Sequence, residues 1–129
     1  MPAAKAAYCA GQQEARFFWA MHDWLFANRN TWANATDAPN QFRQQALMIG
    51  ADAARYDACL TDAKTEAVIQ DDLQEGAGLG IRGTPTFILQ RVDAQGRLQG
   101  KEDRVVGALP YEDFAKKIES MLAAQGATN

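Results

Sequence analysis

Around Pro85 the apolar pattern of this chain passes from a helical period to a period of two. Upstream, apolar side chains recur three and four residues apart; from Pro85 onward Phe87 and Leu89 fall on one face, and Thr86, Ile88 and Gln90 on the other. The junction is the segment Leu79-Gly80-Ile81-Arg82-Gly83-Thr84-Pro85. Proline supplies no ladder donor, so within a sheet it occupies the first residue of a strand, an edge or a bulge. Thr84-Pro85 therefore marks a strand start, and the chain divides into a long helical part followed by a short sheet part. Apolar groups on both faces of this strand call for cover on both sides.

The helical part reads as a series of short amphipathic segments. Ala3, Ala6, Ala7 and Ala10 stand at helical spacing, with Gly11 as the terminator. Phe17, Phe18, Met21 and Leu25, flanked by Trp24, make an apolar stripe on a second helix, with Glu14 at its positive end. Asn28 to Pro39 is polar and turn-rich and reads as a surface loop; it contains Asn34-Ala35-Thr36, a glycosylation sequon with no secretory signal beside it. Asp37 and Pro39 then start a helix through Phe42, Ala46, Leu47 and Ile49 that Gly50 ends. Asp52 starts another through Tyr56 and Leu60, and Thr61 or Asp62 caps a third through Ile69 and Leu73. The glycines at 76, 78 and 80 end that helix and precede a strand, which is the reverse of the order a phosphate-binding loop needs.

After the first strand, Asp93-Ala94-Gln95-Gly96 signals a turn and Arg104 to Ala108 a second strand, giving a hairpin with a long polar connection. Pro110 opens a final helix with Tyr111, Phe114, Ile118, Met121 and Leu122 inward. Glu112 with Lys116, and Asp113 with Lys117, stand at i,i+4 in the favourable orientation on its outer face. The small polar tail after Ala123 is expected to fray.

With 129 residues the chain fits one domain's worth of core, and its net charge of −3 argues against both disorder and a phosphate-binding role. The 13 basic residues are scattered among 16 acidic ones without a basic face, so no nucleic-acid partner is expected. No apolar run reaches the length of a membrane span, and Met1-Pro2-Ala3-Ala4-Lys5 lacks the apolar core of a signal peptide. Two cysteines, Cys9 and Cys59, are too few for a disulfide scaffold. Either they are two small buried hydrophobes, or they form a bridge worth up to about 4 kcal/mol by loop closure. His22 is the only histidine. Adjacent helical residues do not face one another, so His22-Asp23 reads as packing and surface polarity, and no metal site is expected.

Several segments fall together into one pattern. They are Ala6-Ala7-Tyr8-Cys9-Ala10-Gly11, the run Phe18 to Asn28, Asp57-Ala58-Cys59-Leu60, Gly83-Thr84-Pro85-Thr86-Phe87 and Gly107-Ala108-Leu109-Pro110-Tyr111-Glu112-Asp113-Phe114. In this order they resemble the DsbA-type thiol-disulfide oxidoreductases of the thioredoxin-like superfamily. The resemblance implies an α/β fold, mostly α in this chain: an incomplete thioredoxin-like fold with a helical insertion over residues 1–82 and a C-terminal ββα part over residues 83–129.

The same resemblance implies a cis Thr84-Pro85 bond and a substrate-binding loop of Gly83, Thr84 and Pro85. In that loop the backbone of Thr84 bonds an extended substrate segment, Pro85 keeps a donor away from the thiolate, and Arg82 lies where it influences local electrostatics. It further implies that Cys9 and Cys59 form a structural disulfide. The redox pair of such proteins is a Cys-x-x-Cys, which does not occur here. The expectation is therefore a chain carrying only the insertion and the C-terminal half, with no catalytic residue of its own, no cofactor and no activity alone. The partners expected are protein substrates with thiols or disulfides, and a second copy of the chain paired through an open strand edge. The family implies a periplasmic or cell-envelope location. Two other readings stand beside this one: an enzyme resembling kappa-class glutathione transferases and hydroxychromene-carboxylate isomerases, and a non-catalytic protein-binding or assembly module.

Overall fold

The computed structural model describes residues 1–123; the expected fraying of the tail falls outside them. The chain is mostly helical, with one antiparallel hairpin placed between helices in the sequence. Its elements are α1 (Pro2–Gly11), α2 (Ala15–Ala27), α3 (Arg29–Trp32), α4 (Ala38–Met48), α5 (Ala53–Thr61), α6 (Ala63–Gly78), β1 (Thr86–Val92), β2 (Leu98–Val106) and α7 (Tyr111–Ala123). They fall into two compact units, Met1–Glu75 and Gly76–Asn129, the second described as far as Ala123.

In the first unit α1 is the central element, packing on α2, α4 and α5. Its buried face is nearly all small: Ala6, Ala7, Cys9 and Ala10. Small side chains let neighbouring helices come close, and the bulk that fills the core comes from them as Phe17, Met21, Leu25, Phe42 and Tyr56. Gly11 does not end α1 by adopting a left-handed conformation. It lies in the last turn, where an added Cβ would stand 2.9 Å from the Cβ of Phe18, so its role is the close approach of α1 and α2. Gly50, by contrast, does end its helix with a positive φ of 104°.

The expected loop from Asn28 to Pro39 contains a helical turn, α3. The Asn28 side chain donates to Trp24 O (2.9 Å) and Thr31 Oγ1 donates to Asn28 O (2.7 Å), while Trp32 Nε1 donates to Leu25 O (2.8 Å). The Trp32 ring stands edge-on to Phe42 at 5.3 Å. Anchoring one indole in the core thus orders a stretch whose polar composition reads as loop. Asp52 caps α5 by accepting from Arg55 N at 2.8 Å, and the Asp62 carboxylate accepts from Lys64 N at 2.9 Å at the start of α6.

In the second unit Gly80 has a positive φ of 70° and follows α6 with a backbone turn in which Ile81 N donates to Gly76 O (2.9 Å). β1 and β2 pair from Thr86↔Val106 to Leu89↔Asp103 and again from Arg91↔Gln99 to Val92↔Leu98, with an irregularity between. The long polar connection expected before Arg104 is therefore mostly strand, and the true turn is Asp93 to Arg97. Asp93 organises it: its carboxylate accepts from the backbone N–H of Gln95 and of Arg97, both at 2.9 Å. Those bonds to the ionised form hold the Asp93 carboxyl below its ordinary range, led by the Arg97 backbone.

α7 meets the hairpin through Phe114, whose ring stands edge-on to Phe87 at 4.9 Å. Its inward set is smaller than the spacing implies, since Tyr111 is 84% and Leu122 59% exposed among the described residues. Two strands offer too little surface to cover a whole apolar stripe. The i,i+4 pair expected between Asp113 and Lys117 does not form. Lys117 instead crosses to Asp103 of β2 (2.6 Å), and Asp113 meets Lys116 at 3.7 Å.

Candidate functional site

The sulfur chemistry of the chain is gathered in the first unit. Cys9 projects from α1 into the core with no exposed surface, and Cys59, near the end of α5, keeps part of its surface in solvent. The two are bonded, with an S–S distance of 2.00 Å and Cα atoms 5.6 Å apart across 50 residues of sequence. Polar contacts on either side hold the helices that carry them. The Gln13 side chain, just past α1, donates to Asp52 O (3.1 Å) and accepts from Asp52 N (2.8 Å), which pins the entry to α5. One turn before Cys9, Lys5 forms an ion pair with Glu66 in the first turn of α6. A loop of that length closed by a disulfide stabilises the folded chain by about 4 kcal/mol.

Thr65, also in the first turn of α6, completes the arrangement. It is 3% exposed, a buried polar side chain. Its Oγ1 lies 3.3 Å from Cys59 Sγ and 3.9 Å from Cys9 Sγ. A disulfide has no proton to give, so the hydroxyl donates toward sulfur. Sequence spacing gives no hint of this residue: the contact to Cys9 spans 56 positions.

The loop at the start of β1 is a separate feature of the second unit. Thr84-Pro85 is a cis peptide bond. Gly83, Thr84 and Pro85 are exposed, as is Arg82. Thr86 Oγ1 donates to Gly83 O (2.7 Å), and Gly107 N donates to Pro85 O (2.8 Å) and so extends the hairpin past its last paired residues. Folding thus joins Cys9 to Cys59 and presents Gly83 to Pro85 as one exposed loop.

His22 stands apart from both. Its Nδ1 meets Asp23 Oδ1 at 3.0 Å, so these neighbours do touch, contrary to the expectation from helix geometry; Asp23 is exposed and His22 half-buried. The imidazole packs beside Phe26 at 4.8 Å on an apolar cavity of about 410 Å³ that Ala7, Phe18, Leu25 and Trp32 also line.

A comparison with protein families decides what these features belong to. The family described as DSBA-like thioredoxin domain matches residues 2–119. The chain belongs to that family. No curated protein and no solved structure matches it significantly. The helical run followed by a hairpin and helix agrees with a thioredoxin-like fold bearing a helical insertion.

Two linked expectations are corrected by these findings. The family match is not confined to a C-terminal part of the chain: it extends over residues 2–119, nearly the whole of it. Nor does the chain lack a dithiol pair altogether, as the expectation of inactivity for want of a Cys-x-x-Cys had it: within a DSBA-like thioredoxin domain, Cys9 and Cys59 form a disulfide. The resemblance named Cys9 with Cys59, and the two are joined by tertiary packing of α1 against α5, which no local motif records. Among the described residues, no helix is long and apolar enough to cross a membrane.

Proposed function

We propose that this protein carries out thiol-disulfide exchange on protein substrates, with Cys9–Cys59 as the exchanging pair. The observation that carries the reading is the bonded pair within a DSBA-like domain, because these two residues account for all the cysteine in the chain. A substrate thiolate attacks one sulfur of the disulfide, a mixed disulfide forms, and the second substrate thiol displaces it. The substrate leaves oxidised by two electrons, and Cys9 and Cys59 are left as thiols. The reverse sequence reduces a substrate disulfide.

In this reading the exposed Gly83-Thr84-Pro85 loop contributes a surface for an extended polypeptide, whose backbone groups pair with those of Thr84. The working compartment is the cell envelope, where disulfides persist. Self-association through the second edge of β1 belongs to the same reading. Among the described residues that edge has no strand partner. Light scattering over a concentration series that shows only monomer would remove it.

The test of the activity uses the full chain, oxidised, mixed with a reduced peptide carrying two cysteines. We expect one peptide disulfide formed per chain, with both protein thiols then open to alkylation. Cys9→Ala and Cys59→Ala should each abolish turnover. Peptide oxidation that survives in either variant, or a folded disulfide untouched by excess thiol, would overturn the proposal.

A further inference from the structure

We propose that α2 is an interface between two copies of this chain. The two α2 helices pack in antiparallel sense about a two-fold axis beside His22, and Trp19 of each copy fills the apolar cavity of the other. Every residue involved belongs to the first unit, so the pairing is independent of the β1 edge and of any sulfur exchange.

α2 turns an aromatic face outward. Trp19 is 61% and Phe26 72% exposed, although indole and phenyl rings of this size are ordinarily drawn into a core. His22 links them: its ring lies 5.5 Å from that of Trp19 and 4.8 Å from that of Phe26. The result is one continuous patch of rings along the helix, and exposed patches of this kind mark interaction surfaces. Beside it opens the cavity of about 410 Å³, with Ala7, Phe18, Leu25, Phe26 and Trp32 in its walls. A cavity of that volume holds a small-molecule ligand and so has room for an indole.

Self-complementarity selects a second copy as the occupant. Both helices rise equally per residue, so in an antiparallel pair the positions equally far before and after the axis meet. Trp19 stands three residues before His22 and therefore meets Leu25, three residues after it, in the cavity wall of the other copy. Glu14 stands eight residues before the axis and falls one position from Arg29, which stands seven after it. Both are exposed, Glu14 even within its local pair with Arg16, and among the described residues Arg29 has no ion pair. An acid at one end of α2 thus lies beside a base at the other, and a two-fold interface makes the contact twice. At the axis His22 meets its own counterpart ring to ring, each with the Asp23 of its own chain at 3.0 Å.

The charged residues of the cavity also suit an indole. Arg29, in the wall, supplies a guanidinium of the kind that is drawn to the face of a tryptophan ring. Asp72 lines the same cavity and supplies an acceptor for the indole N–H, a donor that needs a partner once it is buried.

The experiment follows the full chain by sedimentation over a concentration series at low salt, where charge contacts are least screened. The parent is expected to dimerise. Trp19→Ala, a change at an exposed position, should leave the fold intact and weaken dimerisation about thirtyfold, the effect of removing an interface hot spot. Glu14→Arg and Arg29→Glu should each dimerise on the order of tenfold more weakly, because each sets like charges together at both ends of the interface. Mixed in equal amounts, these two variants should pair with one another, since every end then sets an acid against a base. Dimerisation that Trp19→Ala leaves unchanged would overturn the proposal and return self-association to the β1 edge. Charge variants that dimerise as the parent does, or that stay apart on mixing, would overturn the antiparallel register. A parent that stays monomeric would overturn the interface itself, and binding of 8-anilinonaphthalene-1-sulfonate by that monomer, lost in Arg29→Glu, would give the cavity to a small apolar anion instead.

Discussion

Tyr56 shows how much one atom matters in so small a core. The residue is fully buried on α5, and its hydroxyl has no hydrogen-bond partner among the described residues. Burial is the main reason its pKa is pushed up from 10.0 to about 12. An unpartnered buried hydroxyl costs about 1–3 kcal/mol, so Tyr56→Phe is expected to stabilise the protein by about 1 kcal/mol in urea unfolding at neutral pH. The sign of the pH effect follows from the raised value. The folded protein holds the proton more tightly than the unfolded chain, so this contribution is complete below pH 10 and is lost as pH rises toward 12. Tyr56→Phe should therefore also lose less stability across that alkaline window, and a parallel loss in both proteins would count against the assignment. The sequence shows Tyr56 on the inner face of a helix; whether its hydroxyl finds a partner depends on which helices close over it.

At the scale of elements, the contact of α1 with α2 turns on Gly11. Two effects compete in Gly11→Ala. Alanine gains up to about 1 kcal/mol of helix propensity over glycine. Its Cβ, however, would stand 2.9 Å from the Cβ of Phe18, an atom fixed close to the backbone that cannot swing aside. Overpacking of that kind costs about 1–3 kcal/mol, so the contact prevails and Gly11→Ala should lower the unfolding midpoint, by a net of about 1 kcal/mol. A raised midpoint would mean that the helices separate at little cost. Gly11 was legible as punctuation, yet its purpose was not, because close approach is a relation between two elements. The same holds for α3, ordered by one indole hydrogen bond, and for Lys117, which leaves its helical partner for Asp103 across to β2. By contrast, the starts of α5 and α6 were readable, since an aspartate that caps its own helix acts within three residues.

Across the whole molecule, half-buried carboxylates tie the elements of each unit together. Asp57 is held below its ordinary range by hydrogen bonds from Arg43 between α4 and α5, and Glu66 by Lys5 and then Gln70. Asp103 is likewise lowered by Lys117, and Asp93 by its turn. All four are depressed, so each stabilises the folded form above the ordinary carboxylate pKa and loses that effect as pH falls through the lower folded value. Thermal unfolding should accordingly move to lower temperature between pH 5 and about pH 3. High salt should weaken this dependence, because these pairs keep part of their surface in solvent and are screened there. A melting temperature that is flat across that range would show the pairs to be energetically idle.

The sequence by itself determined the order and kind of the elements. It carried the helical period up to residue 80, the strand opening at Pro85, the caps at Asp52 and Asp62, and the family pattern through Cys9, Cys59, Thr84-Pro85 and Phe114. These are local properties, set by backbone sterics, side-chain periodicity and hydrogen bonds within a turn. Only the tertiary structure decided that Cys9 and Cys59 meet, that Thr65 lies against both sulfurs, that the hairpin turns tightly at Asp93 and that Gly11 serves a helix crossing. Each of those depends on which surfaces are brought together, and packing distances between residues tens of positions apart are written in no single segment of the chain.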